Sequence, residues 1–222
     1  MARELFHKEL TDLQDDVLIL GSMAEKAVVD SVESLRSADL EWSQRIIDED
    51  AAINKKRFDI EEQAIFVIAS QQPLATDLRA VMSALMIITD LERIGDHAEG
   101  IARINLRLGE AEAVPRRMGY IPAMADRSIA MLRDSLKAYV ERNVEEARRV
   151  CDADDEVDGL QDAVYDEAFR GMIENPAMIE RNTYYLWTAH NLERIADRTT
   201  NICERVIYLV TGRMEEINVS KY

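Results

Sequence analysis

Apolar residues recur at three- and four-residue spacing along most of the chain, beginning with Phe6, Leu10, Leu13, Val17, Leu20, Ala24, Ala27 and Leu35. Ser31 is the one polar member of that stripe. Alternation of period two appears nowhere over a useful length, so the pattern predicts helices and no strands. The first helix is expected from about Leu5 to Ser37, roughly 50 Å if straight. Asp39 is placed to cap a second helix carrying Trp42, Ile46, Ile53, Ile60, Ala64 and Val67. That helix should end near Gln71-Gln72, because Pro73 disfavours helical geometry at the residue before it. Pro73 is expected in the first turn of a third helix, running through Leu78, Val81, Leu85, Ile88, Ile101 and Leu108 to a terminating Gly109.

A Gly- and Pro-rich stretch from Gly109 to Pro122 reads as a linker, and beyond it the scheme repeats. Ala125, Ile129, Leu132, Leu136 and Tyr139 mark a fourth helix. Asn143 and Glu146 have capping-box spacing ahead of a fifth, which carries Ala147, Val150, Val157 and Val164. Asn175-Pro176 reads as a cap and first-turn proline for a sixth helix that stops at Gly212. Residues repeat as well as layout. Leu91-Glu92-Arg93-Ile94-Gly95-Asp96 matches Leu192-Glu193-Arg194-Ile195-Ala196-Asp197 at an offset of 101. Asp50-Ala51-Ala52-Ile53-Asn54 matches Asp154-Asp155-Glu156-Val157-Asp158 at an offset of 104. The expected architecture is all-α, two tandem three-helix bundles related by internal duplication, six long helices in all. The first bundle spans 1–110, the linker 111–121 and the second bundle 122–222.

The stripes are interrupted by acids. Glu92 and Asp96 fall on the apolar edge of the third helix, and Glu193 and Asp197 on that of the sixth. Asp50 with Asn54, and Asp154 with Asp158, do the same in the second and fifth. Each pair is spaced i, i+4, which leaves its side chains about 40° apart around the helix and ~6 Å apart along it. Two such helices packed as an antiparallel pair bring four oxygen-bearing groups together, one set per half. Carboxylates gathered near a core are costly unless protonated, hydrogen-bonded or neutralised by cations. Oxygen donors without thiols suit hard or borderline cations such as Fe, Mn, Mg or Ca. The competing expectation is that arginines neutralise the acids. Arg93 and Arg194 follow the glutamates at i+1 and should face away from them, while Arg57, Arg79, Arg103 and Arg205 could reach across from other helices.

Composition narrows the function classes. The chain has 222 residues with 43 Asp+Glu against 27 Lys+Arg, a formal charge of −16. Neither half is basic, which argues against nucleic acid as a partner. No apolar run approaches the ~20 residues of a spanning helix, and the first residues lack the pattern of a signal peptide, so a cytoplasmic protein is expected. Cys151 and Cys203 are isolated and read as core residues. His97 and His190 lack counterparts in the other half and read as surface or satisfied histidines. A ferritin-like di-iron site needs Glu-x-x-His on two helices, and only Glu4 to His7 has that spacing. No Ser/His/Asp set, phosphate loop or Cys/His arrangement points to catalysis.

Several phrases together resemble the PhoU family over nearly the whole chain. They are Gln72-Pro73-Leu74-Ala75-Thr76-Asp77-Leu78-Arg79, Leu91 to Ala98, Asp154-Asp155-Glu156-Val157-Asp158 and Asn191 to Asp197, with Phe6-His7 before Leu10 and Leu13. The resemblance implies a non-enzymatic cytoplasmic regulator that represses phosphate uptake and the phosphate regulon. It implies partners in the phosphate ABC transporter ATPase and a membrane-bound sensor histidine kinase, and a homodimer peripheral to those membrane complexes. It also implies multinuclear metal sites, iron first, with zinc, manganese or magnesium as alternatives. Carried over by residue, the ligands are Asp50, Glu92 and Asp96 in one half and Asp154, Asp158, Glu193 and Asp197 in the other. Asn54 stands where the family pattern has an acid, so the first site is expected to bind cations more weakly. The alternative function is a carboxylate-bridged metal storage or oxidase bundle.

Overall fold

The computed structural model describes residues 2–109 and 119–217. Its helices are α1 (Ala2–Ser37), α2 (Leu40–Gln71), α3 (Thr76–Leu108), α4 (Ile121–Glu141), α5 (Val144–Glu174) and α6 (Ile179–Thr211). A 3-10 turn, Pro176–Met178, leads into α6. No strand occurs among the described residues, and no helix is long and apolar enough to cross a membrane. Most of the expected linker lies outside the described residues; its described end is the turn at Gly119-Tyr120 that opens α4.

The α1–α2 and α4–α5 corners are built alike. Ala38 and Arg142 take left-handed conformations at φ 54° and 51°. The next residue then turns its N–H back to the preceding helix, Asp39 to Ser34 O and Asn143 to Ala138 O, each at 3.0 Å. Asp39 and Asn143 then cap the helices that follow, accepting from Trp42 N at 2.8 Å and Glu146 N at 3.1 Å. Only half of the expected capping box forms, because the Glu146 carboxylate pairs with Arg149 one turn on. Gly109 and Gly212 end α3 and α6 at positive φ, where the missing Cβ removes the steric cost.

The expectation for Pro73 was wrong. α3 begins at Thr76, and Pro73 lies buried in the turn before it, between the left-handed residues Gln72 and Ala75. Pro176 opens the 3-10 turn rather than α6 itself, with Asn175 accepting from Ala177 N at 3.2 Å. The positive φ of Ala75 separates Pro73 from α3, whereas the fixed φ of Pro176 suits the first position of a 3-10 turn.

Within each half every helix packs on the other two, and among the described residues the helices of the two halves meet only through α1 on α4 and α3 on α6. α2 and α5 are therefore the outer helices. One continuous apolar core runs through both halves, from Leu13, Val17 and Leu20 on α1 to Ile202, Val206 and Leu209 on α6. Ser31 enters it by donating to Val28 O at 2.9 Å, and Ser135, its counterpart on α4, donates to Leu132 O at 2.8 Å. Such i−3 bonds satisfy a hydroxyl without a partner helix.

α3 and α6 cross antiparallel. Ser83 Oγ donates to Arg205 O at 3.5 Å, Arg198 pairs with Asp90 at 3.3 Å, and His97 Nδ1 meets Asn191 Oδ1 at 3.1 Å. Moving C-terminally along α3 thus moves N-terminally along α6. The Leu91–Asp96 and Leu192–Asp197 segments lie where the helices cross.

Candidate metal centres on paired helices

Each candidate acid arrives on a helix whose neighbouring turn is core. On α2, Asp50 follows the buried Ile46 and precedes the buried Ile53; on α5, Asp154 lies between Val150 and Val157. α3 sets Glu92 and Asp96 beside the buried Leu91 and Ile94, and α6 repeats this with Glu193 and Asp197 beside Leu192 and Ile195. Because α2 packs on α3 and α5 on α6, the four-residue spacing brings both members of each pair toward the same seam. Depth differs among them. Asp154 and Glu193 are buried at 2% and 9% exposure, Asp50, Asn54, Glu92, Asp96 and Asp197 are half-buried, and Asp158 faces solvent.

In the first half, Asp50 Oδ2 accepts from Asn54 Nδ2 at 2.7 Å, while its buried Oδ1 has no hydrogen-bond partner. Burial pushes the Asp50 carboxyl up to about 6, helped by the charges of Glu99, Asp96 and Glu92 across the seam. In the second half, burial pushes Glu193 up to about 7, and Asp197, Asp158 and Asp154 add to the rise against the opposing pull of Arg194. Asp158 is raised by the same two causes, desolvation first and then Asp197. The acids thus repel one another across both seams, as the sequence pattern predicts. Among the described residues, however, no three His, Cys, Asp or Glu side chains stand close enough together to hold a metal ion.

Arginines do neutralise some of the acids, but not the arginines expected to. Arg93 reaches Asp96 at 2.8 Å and Arg194 reaches Asp197 at 2.5 Å, each one turn along its own helix. The pairs are legible in the sequence as i, i+3 neighbours, and Arg93, expected to face away from Glu92, also lies 3.5 Å from its carboxylate. Arg57, Arg103 and Arg205 pair within their own helices, with Glu61, Glu99 and Glu204. Arg79 donates to Thr76 Oγ1 at 3.2 Å.

Two features escaped the sequence reading. Glu99 is, after burial, the largest influence on Asp50; it extends the Glu92–Asp96 row by a further turn, and its counterpart is Thr200. The first seam therefore keeps four carboxylates, Glu99 making up the one lost at Asn54. His97 is a satisfied histidine, as expected, but its partner, Asn191, belongs to the other half, so the contact joins the halves. Desolvation by burial lowers its affinity for protons, partly offset by Asn191. His190 is exposed, its Nδ1 3.5 Å from Glu193 Oε2, an atom without a hydrogen bond. Cys151 and Cys203 are both buried and free, as expected of core thiols. Cys151 Sγ donates to Thr200 O at 4.0 Å across the α5–α6 seam, and the neighbouring Cys151 thiol together with burial pushes Cys203 well up.

Comparison with known proteins agrees with this duplicated geometry. A family model described as PhoU domain matches residues 17–104 and again 121–206. A Clostridium acetobutylicum protein described as a phosphate-specific transport system accessory protein PhoU homolog is 41% identical over 219 residues, covering 98% of this chain and 100% of the relative. A Rhizobium meliloti protein of the same description is 34% identical, covering 93% and 87%. The crystal structure of PhoU from Pseudomonas aeruginosa superposes with a TM-score of 0.89 at 34% identity, covering 94% of this chain and 100% of that one. The structure of the phosphate transport system regulatory protein PhoU from Streptococcus pneumoniae gives 0.88 at 33%, covering 95% and 99%.

Proposed function

The chain belongs to the PhoU family, and from that premise we propose that it is a non-enzymatic accessory regulator of phosphate transport. It acts in the cytoplasm as a homodimer, linking the phosphate ABC transporter ATPase to a sensor histidine kinase and repressing phosphate uptake and the phosphate regulon when phosphate is plentiful. The observation that carries this reading is the PhoU-domain match in both halves, with relatives aligned along nearly the full chain. The surface supports it. Ile65 and Phe169 are counterparts on α2 and α5, Leu78 and Ile179 on α3 and α6, and all four expose apolar side chains. These duplicated exposed apolar positions are the surface that this reading assigns to partner proteins.

Metal binding is the second element of the proposal. The donor set fits hard cations: the unpartnered Asp50 Oδ1 and the raised Asp50 and Glu193 mark seams where negative charge is under-compensated. Asp50, Asn54, Glu92 and Asp96 would hold ions in the first half, and Asp154, Asp158, Glu193 and Asp197 in the second. A bound cation would supply charge neutralisation between paired helices. Asp96 and Asp197 would exchange their arginines for it.

Deleting the gene in its host with a phosphate-regulon reporter tests the regulatory reading. Derepression at high phosphate is expected, with the transporter ATPase and the kinase retained by tagged protein; an unchanged phosphate response sinks it. Metal analysis of protein purified without chelators, followed by titration with Fe(II) and Mn(II), tests the second element. Oxygen consumption on Fe(II) addition would favour the storage or oxidase alternative.

A further inference from the structure

After Gly212 ends α6, residues 213–217 turn back over the outer α5–α6 face. The segment is fastened twice. Arg148 on α5 pairs with Glu215 at 2.7 Å, and the Ile217 N–H donates to Glu204 Oε1 on α6 at 3.0 Å. The Ile217 side chain packs against the core as well. Between the segment and α6 lies a polar recess of about 540 Å³, with Asp197, Asn201 and Arg205 on one wall and Glu215 and Glu216 on the other.

The first half serves as an internal control. The counterpart of Arg148 is Gln44, which donates to Asp48 on its own helix at 2.9 Å. The counterpart of Glu204 is Arg103, which pairs with Glu99 on its own helix at 2.6 Å. Both fastening residues therefore differ from counterparts that are occupied locally, and in each case the second half has the charge the segment requires. Arg148 meets a carboxylate, and Glu204 presents an acceptor to a backbone N–H. Ordering five residues against a face already rich in carboxylates opposes both chain entropy and like-charge repulsion. Arg148, Glu204 and the Ile217 anchor oppose both costs, with the Arg213 N–H donating to Thr211 Oγ1 at 3.2 Å where the segment leaves α6.

We propose that residues 213–217 form a strap that regulates access to the outer face of the second half, from Asp197 to Arg205. Fastened, it covers Glu204 and forms one wall of the recess that Asp197 lines. Released, it opens the recess and exposes Glu204. This inference does not depend on the regulatory reading, nor on metal binding.

Carbodiimide labelling of carboxylates, read by mass spectrometry, tests it on three proteins: the full chain, a chain ending at Gly212, and Arg148→Ala. Labelling of Glu204 should rise several-fold in the shortened chain and by a smaller factor in Arg148→Ala. Asp96 serves as reference, with unchanged labelling showing that the bundle is intact. Gln44→Ala should change nothing. In the full chain the Ile217 amide should exchange with deuterium several-fold more slowly than in an unstructured peptide. Glu204 labelling that is the same in all three proteins, or an Ile217 amide exchanging at the peptide rate, overturns the proposal.

Discussion

Gly95 of α3 makes room for Ile53 of α2: a β-carbon on Gly95 would stand 3.1 Å from Ile53 Cδ1, 3.2 Å from its Cγ2 and 3.4 Å from Asp50 Oδ1. The counterparts in the second half are Ala196 and Val157, both fully buried. Volume has been exchanged across the seam, Gly facing Ile in the first half and the larger Ala facing the smaller Val in the second. The helix gains about 1 kcal/mol of propensity from Gly to Ala, while overpacking costs about 1–3 kcal/mol. Gly95→Ala should therefore lower stability by about 1 kcal/mol. Ile53→Val, which alone costs about 1 kcal/mol, should cost nothing more in that background. A urea double-mutant cycle reads the coupling, and additive losses would refute the exchange.

The seam acids make stability depend on pH in an unusual direction. Glu193 and Asp50 are raised in the folded state to about 7 and about 6. A raised carboxyl binds its proton more tightly folded than unfolded, so its contribution is fully present below the unfolded pKa near 4 and lost as pH rises through the folded value. Between about pH 4 and pH 7 these two groups become progressively destabilising. Glu193→Gln should flatten the fall in melting temperature across that window and stabilise the protein at pH 8 by about 1–2 kcal/mol, discounted for the solvent-facing edge of the seam. Parallel melting curves for the two proteins would refute it.

Asn105 is fully buried and ties the α1–α2 corner to the end of α3, donating to Ser34 O at 2.9 Å, Ser43 Oγ at 2.9 Å and Asp39 O at 3.3 Å. Its own Oδ1 has no hydrogen-bond partner. In the second half the counterparts of Ser34, Ser43 and Asn105 are Ala138, Ala147 and Val206, all buried. Asn105→Ala should cost about 2 kcal/mol through the cavity and the lost bonds. The triple exchange Ser34→Ala, Ser43→Ala, Asn105→Val should stay within about 1 kcal/mol of wild type, because the Ser34 and Asp39 carbonyls keep their backbone donors. Chemical denaturation distinguishes the two outcomes.

Asp90 and Asn191 are also counterparts, and each bridges the halves differently. Asp90, buried, accepts from Arg198 and Asn201, both at 3.3 Å; Asn191 faces His97. Asp90→Ala removes an ion pair that is largely shielded and should cost about 2–3 kcal/mol, whereas Asp90→Asn keeps an acceptor for Asn201 and should cost about 1 kcal/mol. Equal losses would show that the charge is irrelevant.

The proposed function makes a prediction at the surface. Ile65→Asp and Phe169→Asp alter exposed side chains, so stability should change by no more than about 0.5 kcal/mol. Retention of the transporter ATPase in a pull-down should fall several-fold for each and further for both. Undiminished retention by the double variant would place the partner surface elsewhere.

The periodicity of apolar residues established six helices, their approximate ends and their duplication, because a helix's buried face is written locally at i, i+3 and i+4. The same logic located Asp50, Asp154, Glu92 and Glu193, since an acid interrupting an apolar stripe is visible without coordinates. What depended on packing was not visible. Whether Pro73 joins α3, which arginine meets Asp96, that Asn54 gives its amide hydrogen to Asp50, that Cys151 meets Cys203 and that residues 213–217 fold back over α6 were all decided by the tertiary structure. Side chains at the seams can satisfy themselves along their own helix or across to the next at similar cost, and only the distance between helices selects one.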